Sequence, residues 1–282
     1  MEVREAQLVV AGVRVPVREA GPPGHDEAIV FVHGNPGSSR DWDDLLARTG
    51  EFARAVAPDM PGFGRAEKPA DFEYTVQGYA RFLACALDAL GVRRAHLVLH
   101  DFGGPWGLAW AGAHPDAVAS VVLINIGVLI GYRWHYLARI WRTPVLGELF
   151  QATTTLPGFR LLLRHGNPRG LPRDFVERMY RDFDRDTKRA VLRLYRATPP
   201  GLLEAPLPTM RELNPPALVV WGGHDPYLPV ENAERQREAF PSAEIAVLDG
   251  SGHWPMADDP ERVADLVVPF LRRHTDAAAP GV

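Results

Sequence analysis

The stretch His96-Leu-Val-Leu-His100-Asp101-Phe102-Gly103-Gly104-Pro105-Trp106 decides the fold. An apolar strand ends at His100, one carboxylate follows, and two glycines lead into a helical pattern. A strand-to-helix turn this sharp strains its central residue, exposes that side chain above the sheet, and needs small neighbours to relieve crowding. Serine usually occupies such a position, and here Asp101 does. The simpler interpretation is that Asp101 only caps the helix that begins near Pro105.

Two later segments favour the strained turn over the helix cap. Residues 219–229 place Asp225 in a turn just past a strand, and residues 248–255 place His253 in a glycine loop after the next strand. Each has an ordinary explanation as turn chemistry or surface decoration. Their joint order along the chain, nucleophile, acid and then histidine, is instead the order of hydrolases that carry a nucleophile on such a turn.

A fourth segment, residues 31–37, follows an early strand and adds a further catalytic element. It can present the backbone N–H of Asn35 towards the turn at Asp101. With the N–H of Phe102 this group would form an oxyanion hole. The Gly-x-Gly at residues 62–64 does not indicate a dinucleotide site, because no apolar helix follows it directly. No His, Cys or Asp spacing suggests a metal, so we expect neither a metal nor a cofactor.

Short apolar, β-branched runs alternate with helical patterns along most of the chain, which predicts a mostly parallel sheet covered by helices. The predicted strands are residues 7–10, 13–19, 28–32, 53–57, 96–100, 120–125, 217–221 and 244–248. The first two are predicted to form an antiparallel hairpin that turns at Ala11 and Gly12. The predicted helices are residues 41–47, 75–90, 105–113, 230–240 and 260–274.

The region between Asn125 and Pro215 breaks this alternation, because it holds no convincing strand. Helical patterns recur there instead, at residues 133–142 and 175–196, and prolines interrupt them. We therefore predict a helical lid inserted between the sixth and seventh strands. The predicted division is a core domain of residues 1–126 and 214–274, a lid of residues 127–213, and a disordered tail of residues 275–282.

Composition excludes several classes of protein. The chain has 282 residues, 46% of them hydrophobic, with 31 Lys and Arg against 35 Asp and Glu. This balance is typical of a globular protein and argues against nucleic acid as a partner. Cys85 is the only cysteine, which fits a reducing cytoplasm. No signal peptide is visible, and the best apolar stretch, residues 117–131, is shorter than the roughly 20 residues that span a membrane.

Charge is distributed unevenly between the predicted domains. The lid, residues 127–213, carries 15 Arg and Lys against 8 Asp and Glu, although the whole chain is acidic. Two interpretations stay open at this stage. The excess reflects the solvated faces of amphipathic helices, or it favours substrates that bear a carboxylate.

On these motifs the chain resembles the α/β-hydrolase superfamily from about residue 19 to residue 273. An aspartate on the turn narrows the resemblance to epoxide hydrolases, haloalkane dehalogenases and fluoroacetate dehalogenases, since esterases, lipases and peptidases of this fold use serine. The resemblance implies an α/β-hydrolase fold, with an eight-stranded, mostly parallel sheet, flanking helices and the lid between strands 6 and 7. It also implies Asp101 as nucleophile, His253 as general base and Asp225 as the orienting acid.

The leaving group distinguishes these families, because a carboxylate can displace either an epoxide oxygen or a halide at saturated carbon. The resemblance to dehalogenases implies two N–H donors that hold the departing halide. These are commonly a tryptophan directly after the nucleophile and an Asn or Trp elsewhere. Asn35 matches this pattern, but Phe102 has no side-chain donor. A resemblance to fluoroacetate dehalogenases would require arginines after the nucleophile and an acidic residue further along the chain. This chain has Phe102 directly after Asp101, and Asn125 at the acidic position. That subfamily is therefore not expected.

Epoxide opening creates an alkoxide, which a tyrosine can stabilise or protonate. Tyr195, followed by an arginine near a helix end, resembles the second lid motif of epoxide hydrolases, and residues 132–138 resemble the first. In that first motif we favour Tyr136, with Tyr132 as its substitute, because the setting after Trp-His resembles the usual alignment. Gly252-His253-Trp254 also resembles these enzymes. The alternative is that the aromatic side chains of the lid only cover an apolar pocket and take no part in catalysis.

The sequence therefore predicts an epoxide hydrolase that acts through an ester on Asp101. Its expected partner is a small, apolar epoxide, with no nucleic acid and no membrane, and the protein is expected to be a monomer or a homodimer. One alternative is a haloalkane dehalogenase that holds halide with Asn35 and a lid tryptophan, Trp134 or Trp141. Another is a non-catalytic protein that binds a small apolar ligand. The residues predicted to line the substrate pocket are Phe102, Trp106, Trp134, His135 and Trp254.

Overall fold

One eight-stranded sheet organises the computed structural model, which describes residues 1–275. The predicted tail lies, apart from Thr275, outside the described residues. The strands are β1 (Arg4–Val10), β2 (Val13–Ala20), β3 (Glu27–Val32), β4 (Ala55–Pro58), β5 (Arg94–His100), β6 (Val118–Ile124), β7 (Ala217–Gly222) and β8 (Glu244–Leu248). Their order across the sheet is β1-β2-β4-β3-β5-β6-β7-β8. All eight predicted strands are confirmed.

The pairing is antiparallel at one edge and parallel elsewhere. β2 pairs antiparallel with both β1 and β4, and every other neighbouring pair is parallel. The predicted hairpin is confirmed, since Ala11 and Gly12 have φ angles of 49° and 81°. Positive φ at both turn residues matches the right-handed twist of the two flanking strands. β3 to β7 are buried along nearly their whole length, as strands covered by helices on both faces must be.

Helices cover the sheet and fill the connection between β6 and β7. They are α1 (Asp43–Thr49), α2 (Val76–Ala89), α3 (Gly103–Ala113), α4 (Tyr136–Arg142), α5 (Leu146–Thr153), α6 (Leu156–Gly166), α7 (Arg173–Asp182), α8 (Arg185–Ala197), α9 (Leu207–Leu213), α10 (Glu231–Arg235), α11 (Pro255–Asp258) and α12 (Pro260–His274). Short 3-10 turns precede α1 and follow α10. No helix among these residues is long and apolar enough to cross a membrane.

The lid, residues 127–213, contains α4 to α9, whereas the sequence predicted two helical segments there. The single predicted segment 175–196 is wrong, because the structure divides it into α7 and α8. Asp184 begins α8 by accepting hydrogen bonds from the backbone N–H groups of Asp186 and Thr187. α6 was missed because Pro157, which the sequence suggested to be a break, occupies the first turn of this helix, where proline is tolerated.

Parallel strands bring the functional loops together. β3, β5, β7 and β8 end at the same edge of the sheet, and each is followed by a segment with a predicted site residue. These residues are Asn35, Asp101, Asp225 and His253. Ligands in open α/β sheets bind outside the carboxyl ends of the strands, so the topology predicts a ligand site at this edge.

Candidate active site

The turn at Asp101 is strained, as the sequence predicts. Asp101 has a φ of 47°, in the left-handed region that non-glycine residues seldom adopt. A Cβ atom on Gly34 would lie 2.4 Å from the Asp101 carboxylate, and one on Gly103 would lie 2.2 Å from the Val32 carbonyl oxygen. Both positions therefore need glycine. The helix-cap interpretation is wrong, since Phe102 holds the N-cap position of α3 and no side chain caps that helix.

The acid and the histidine lie next to this turn. His253 Nδ1 is 2.6 Å from Asp225 Oδ2, and His253 Nε2 is 3.5 Å from Asp101 Oδ2. His253 is 2% exposed, so these contacts form away from bulk water. The three side chains thus have the geometry of a carboxylate nucleophile, a histidine base and an orienting acid.

The carboxylate of Asp225 accepts four hydrogen bonds, two on each oxygen. The backbone N–H groups of Tyr227 and Leu228 donate to Oδ1 at 2.8 and 3.0 Å. The side-chain amide of Asn125 donates to Oδ2 at 2.8 Å, and its own oxygen accepts from the N–H of Gly222. Asn125 was missed as a site residue, although its place directly after β6 was a usable signal. It fixes the acid, which in turn fixes the imidazole of His253.

Charge in the resting site is concentrated on Asp101 and His253. Burial alone would lower the pKa of His253, but the charge of Asp225 and hydrogen bonds to both carboxylates raise it to about 10. Burial alone would raise the pKa of Asp101, but the hydrogen bond and charge of His253 and the N–H of Asn35 hold it below its ordinary value. At neutral pH Asp101 is therefore ionised and lies beside an imidazolium.

His100 supports the loop of His253 from below. Its Nε2 donates a hydrogen bond of 2.8 Å to the carbonyl of His253, and the two rings lie 4.9 Å apart. Burial, with the positive charge of His253, lowers the pKa of His100 to about 3. The His100 ring is therefore neutral, and it positions His253 without competing for the charge of Asp101.

The predicted oxyanion-hole groups lie beside the nucleophile. The N–H of Asn35 donates to Asp101 Oδ1 at 2.6 Å, and the nitrogen of Phe102 borders the space that a Cβ on Gly34 would fill. This hydrogen bond fixes the orientation of the Asp101 carboxylate. It also puts the Asn35 N–H where a tetrahedral oxyanion on that carboxyl carbon would form, although the oxyanion-hole role stays a prediction.

A larger and a smaller pocket meet above Asp101. Four side chains line both pockets: Asp101, His135, Tyr195 and Tyr227. We call these four residues the neck. A substrate whose reacting carbon lies at the neck can place one substituent in each pocket, which suits attack on a saturated carbon with groups on either side.

The predicted pocket residues divide between these two spaces. Phe102 and Trp134 line the smaller pocket, Trp254 lines the larger one, and His135 lines both. Trp106 was wrongly placed. It is fully buried beneath the turn and stacks on the Tyr79 ring at 4.1 Å, because it lies on the face of α3 that packs on the core.

The tyrosine predictions have different outcomes. Tyr195 is 2% exposed, lies at the neck, and accepts a hydrogen bond of 3.5 Å from the side-chain amide of Asn35. Burial raises its pKa well above the ordinary value, so its hydroxyl stays protonated. Tyr136 does not reach the site, since it is 42% exposed and lines neither pocket. It is the first residue of α4, and its side chain interacts with Tyr227, whose ring centre lies 6.3 Å away.

Tyr132, the substitute for Tyr136, lines the smaller pocket with its ring, but its hydroxyl is already engaged. The hydroxyl donates to the carbonyl of Tyr227 at 3.2 Å and accepts from the N–H of His135 at 3.4 Å. Tyr132 therefore ties the start of α4 to the loop that follows β7.

Tyr227 and Gln151 are among the pocket residues that the sequence did not identify. Tyr227 lies at the neck, with its ring 5.2 Å from that of His253, and donates its hydroxyl to the carbonyl of Leu162 at 3.3 Å. Gln151 is 3% exposed and lines the larger pocket, and neither amide atom has a partner among residues 1–275. No local signal identified Gln151, since α5 itself was not predicted.

The basic side chains of the lid do not face the substrate pockets. No Lys or Arg of the described chain lines either pocket. Several pair with carboxylates elsewhere instead, as Arg178 does with Asp41 at 2.8 Å and Arg196 with Glu148 at 2.6 Å. The excess charge therefore supports the interpretation of solvated and paired helix faces. Residues 1–275 also hold no cluster of His, Cys, Asp and Glu arranged to bind a metal.

Known proteins share this architecture. A 2-hydroxymuconate semialdehyde hydrolase of Pseudomonas putida is 29% identical over 275 residues, which cover 94% of this chain and 93% of that protein. The haloalkane dehalogenase DatA of Agrobacterium tumefaciens superposes with a TM-score of 0.82 at 26% identity, covering 97% of both chains. The epoxide hydrolase CorEH superposes with a TM-score of 0.81 at 19% identity, covering 96% and 99%. The family model described as alpha/beta hydrolase fold matches residues 27–260, and the chain therefore belongs to that family.

Proposed function

We propose that this protein is an epoxide hydrolase that converts an apolar epoxide into a vicinal diol. One observation carries the proposal: the ionised Asp101 shares the neck with the protonated hydroxyl of Tyr195. The oxygen of that hydroxyl accepts from Asn35, which leaves its proton free for a substrate oxygen. A carboxylate and a phenol within one small space match the two needs of ring opening, a nucleophile and a donor to the alkoxide.

In the first step Asp101 Oδ2 attacks an epoxide carbon from the side opposite to the ring oxygen. A carbon–oxygen bond forms to the carboxylate while the ring bond breaks, and the electron pair goes to the ring oxygen. The proton of Tyr195 moves to this alkoxide, and the proton of the His253 imidazolium, relayed through water, then restores the phenol and leaves His253 neutral. The product is a glycol monoester of Asp101.

The second step uses the charge change that the first one makes. Esterified Asp101 no longer carries a negative charge, so one of the two carboxylates that raise the pKa of His253 is lost. His253, still oriented by Asp225, can then act as a neutral base on a water molecule. Water attacks the carboxyl carbon of the ester, the N–H groups of Asn35 and Phe102 stabilise the oxyanion, and the diol leaves with the proton that His253 took from water. The carboxylic acid that remains on Asp101 then gives its proton to His253, which restores the resting ion pair.

The lining of the pockets supports an apolar substrate. Beyond the polar groups at the neck, the larger pocket is lined mostly by lid side chains such as Leu137, Phe159, Leu163 and Phe183. The smaller pocket ends on Ile126, Leu129, Leu203 and Leu228. Neither is lined by a Lys or Arg of the described chain, and apolar surfaces of this kind favour hydrocarbon or aryl substituents.

A haloalkane dehalogenase is the second candidate, favoured by the side-chain amide of Asn35 and by the likeness to DatA. The same triad would displace halide and form an alkyl ester on Asp101. Against this, the amide of Asn35 already donates to Tyr195, and Phe102 adds no donor. The indole N–H groups of Trp134, Trp141 and Trp254 are buried without partners among residues 1–275 and are candidates for a second donor.

The hydrolysis of a carbon–carbon bond, as the name of the Pseudomonas putida relative implies for that protein, is not proposed. It would require Asp101 to attack a carbonyl, which would give a mixed anhydride instead of an ester. A carboxylate on the turn is better suited to saturated carbon.

The test is a single turnover of styrene oxide in ¹⁸O-labelled water, followed by mass spectrometry of the peptide that contains Asp101. We expect label in that peptide, because water attacks its carboxyl carbon, and accumulation of the ester in His253→Gln. Parallel assays with styrene oxide and 1-bromohexane, which measure diol and bromide, distinguish the two candidates. An unlabelled peptide after turnover, or release of bromide without diol, would overturn the epoxide proposal.

A further inference from the structure

We infer that His135 supplies the second hydrogen-bond donor to the epoxide oxygen, at the place where the resemblance implied a second tyrosine. The inference rests on the proposed function and assigns a group of the lid to the same site. Four observations carry it: the tautomer of the imidazole, its position, the engagement of the competing hydroxyls, and its charge.

The tautomer is set by the start of α4. His135 is the N-cap residue of this helix, and its Nδ1 accepts a hydrogen bond of 3.2 Å from the backbone N–H of Ala138. An atom that accepts from an N–H group carries no proton of its own. The single proton of the neutral ring is therefore on Nε2, which makes that atom a donor.

The position of the ring brings this donor to the neck. His135 lines both pockets together with Asp101 and Tyr195, and its Nε2 makes no hydrogen bond within residues 1–275. The ring centre lies 6.2 Å from that of Tyr195, nearly perpendicular to it, and 5.1 Å from that of Tyr227. An oxygen held by the Tyr195 hydroxyl can therefore meet a second N–H from the adjacent ring.

The hydroxyl groups that could compete for this role are engaged or distant. Tyr132 donates to the carbonyl of Tyr227, and Tyr227 donates to the carbonyl of Leu162. Tyr136 is 42% exposed and lines neither pocket. The first lid motif therefore offers the site an imidazole in place of a phenol.

The charge state of His135 suits a donor that keeps its proton. Burial and the positive charge of His253 outweigh the attraction of Asp101 and lower the pKa of His135 to about 4. At neutral pH the ring is uncharged, and a neutral imidazole can polarise an oxygen by hydrogen bonding. In the ring-opening step Tyr195 transfers its proton to the alkoxide, while His135 stabilises the developing charge and retains its own proton.

The experiment measures the rate of ester formation on Asp101 by rapid-quench mass spectrometry in a His253→Gln background, which stops the reaction at the ester. Three substitutions are compared at position 135. His135→Phe removes both the cap and the donor, His135→Asn keeps a cap acceptor for Ala138 but is too short to reach the neck, and His135→Gln can present an amide N–H near the position of Nε2. Loss of a preorganised donor costs about 10²-fold in rate.

We expect that loss in both His135→Phe and His135→Asn, and a rate within about tenfold of the parent in His135→Gln. Two epoxides of similar size sharpen the readout, 1,2-epoxybutane and 3,3,3-trifluoro-1,2-epoxypropane, because the trifluoromethyl group makes the alkoxide less basic. A missing donor slows the first substrate more than the second, whereas a distorted lid slows both equally.

Equal losses on both epoxides, or an unchanged rate in His135→Asn, would overturn the role of His135 while the proposed function stands. If the His253→Gln parent forms no ester with either epoxide, the proposed function itself fails, and the inference fails with it. The two failures are therefore distinguished by the parent protein alone.

Discussion

The core and the lid each supply half of the site, and Asp225 of the core is more fully hydrogen-bonded than the polar groups that the lid places at the pockets. In the core half the carboxylate of Asp225 accepts four hydrogen bonds, from His253, Asn125 and two backbone N–H groups. In the lid half, Nε2 of His135 and both amide atoms of Gln151 have no partner within the described chain. Saturated polar groups hold a catalytic geometry, and unsaturated ones at a pocket are available to a ligand. The core also leaves Asn35 Oδ1 and the indole N–H of Trp254 without partners among the described residues, so the contrast applies to Asp225 and the lid and not to every polar group of the core.

The largest expected effect comes from the core half. Asp101→Asn removes the nucleophile while keeping the shape of the side chain, so turnover of epoxide should fall by about 10⁴ to 10⁶-fold. No ester should appear on the peptide that contains position 101 by mass spectrometry. Tyr136→Phe is the matched control, since Tyr136 is exposed outside both pockets. A variant that retained more than a small fraction of the parent activity would show that water attacks the epoxide directly.

The core half could be predicted from the sequence because each of its residues directly follows a short apolar run. Asp101 follows β5, Asp225 lies just past β7, and His253 just past β8. Parallel pairing then brings the ends of those strands to one edge, whatever the details of packing. Local signals were therefore sufficient to place the nucleophile, the acid and the base together.

The lid half could not be predicted in the same way, because its residues depend on helix phase. Successive residues of a helix point about 100° apart, so the exact residue at which α4 begins decides which side chains face the pockets. With His135 as the cap and Tyr136 as the first residue, His135 lines the pockets and Tyr136 is exposed. Histidine is not among the preferred capping residues, so no capping signal marked the start of α4 at this point in the sequence. Trp106 was misplaced for the same reason, and Gln151 lies on a helix with no clear pattern.

A second prediction tests which lid tyrosine acts. Tyr195→Phe removes the hydroxyl at the neck and should slow ester formation by about 10²-fold, because the alkoxide loses its proton donor. Tyr136→Phe should change the rate by less than about twofold, since that ring is 42% exposed. Single-turnover measurements with styrene oxide compare the two variants. Equal effects in both would show that the lid is positioned differently during catalysis.

A third prediction concerns the dependence of stability on pH. The pKa of His253 is raised from 6.5 to about 10 in the folded protein. A raised pKa contributes stability that is fully present below about 6.5 and is lost as the pH rises towards 10. The free energy of unfolding should therefore fall across this window, as measured by urea denaturation at several pH values. The fall should be smaller in Asp101→Asn, which lacks one of the two carboxylates that raise this pKa.

The control for this titration is His253→Gln, in which the contribution of position 253 to the pH dependence should vanish. Other groups that titrate above neutral pH contribute equally to all three proteins, so the differences between their slopes isolate His253. Identical slopes in the parent and Asp101→Asn would mean that Asp101 does not share the proton of His253. That result would remove the charge coupling on which the second step of the mechanism depends.

The smallest expected effect tests the open polar groups of the lid. Gln151→Met keeps the volume of the side chain and removes an amide that is 3% exposed and unpartnered. A buried unpaired polar group costs about 1–3 kcal/mol, so the free energy of unfolding should rise by about 1 kcal/mol in urea denaturation. Gln151→Ala, which also removes the amide but leaves a void, should not share this gain. A loss of stability in Gln151→Met would show that the amide is satisfied in solution, and the contrast between the lid and the core would then rest on His135 alone.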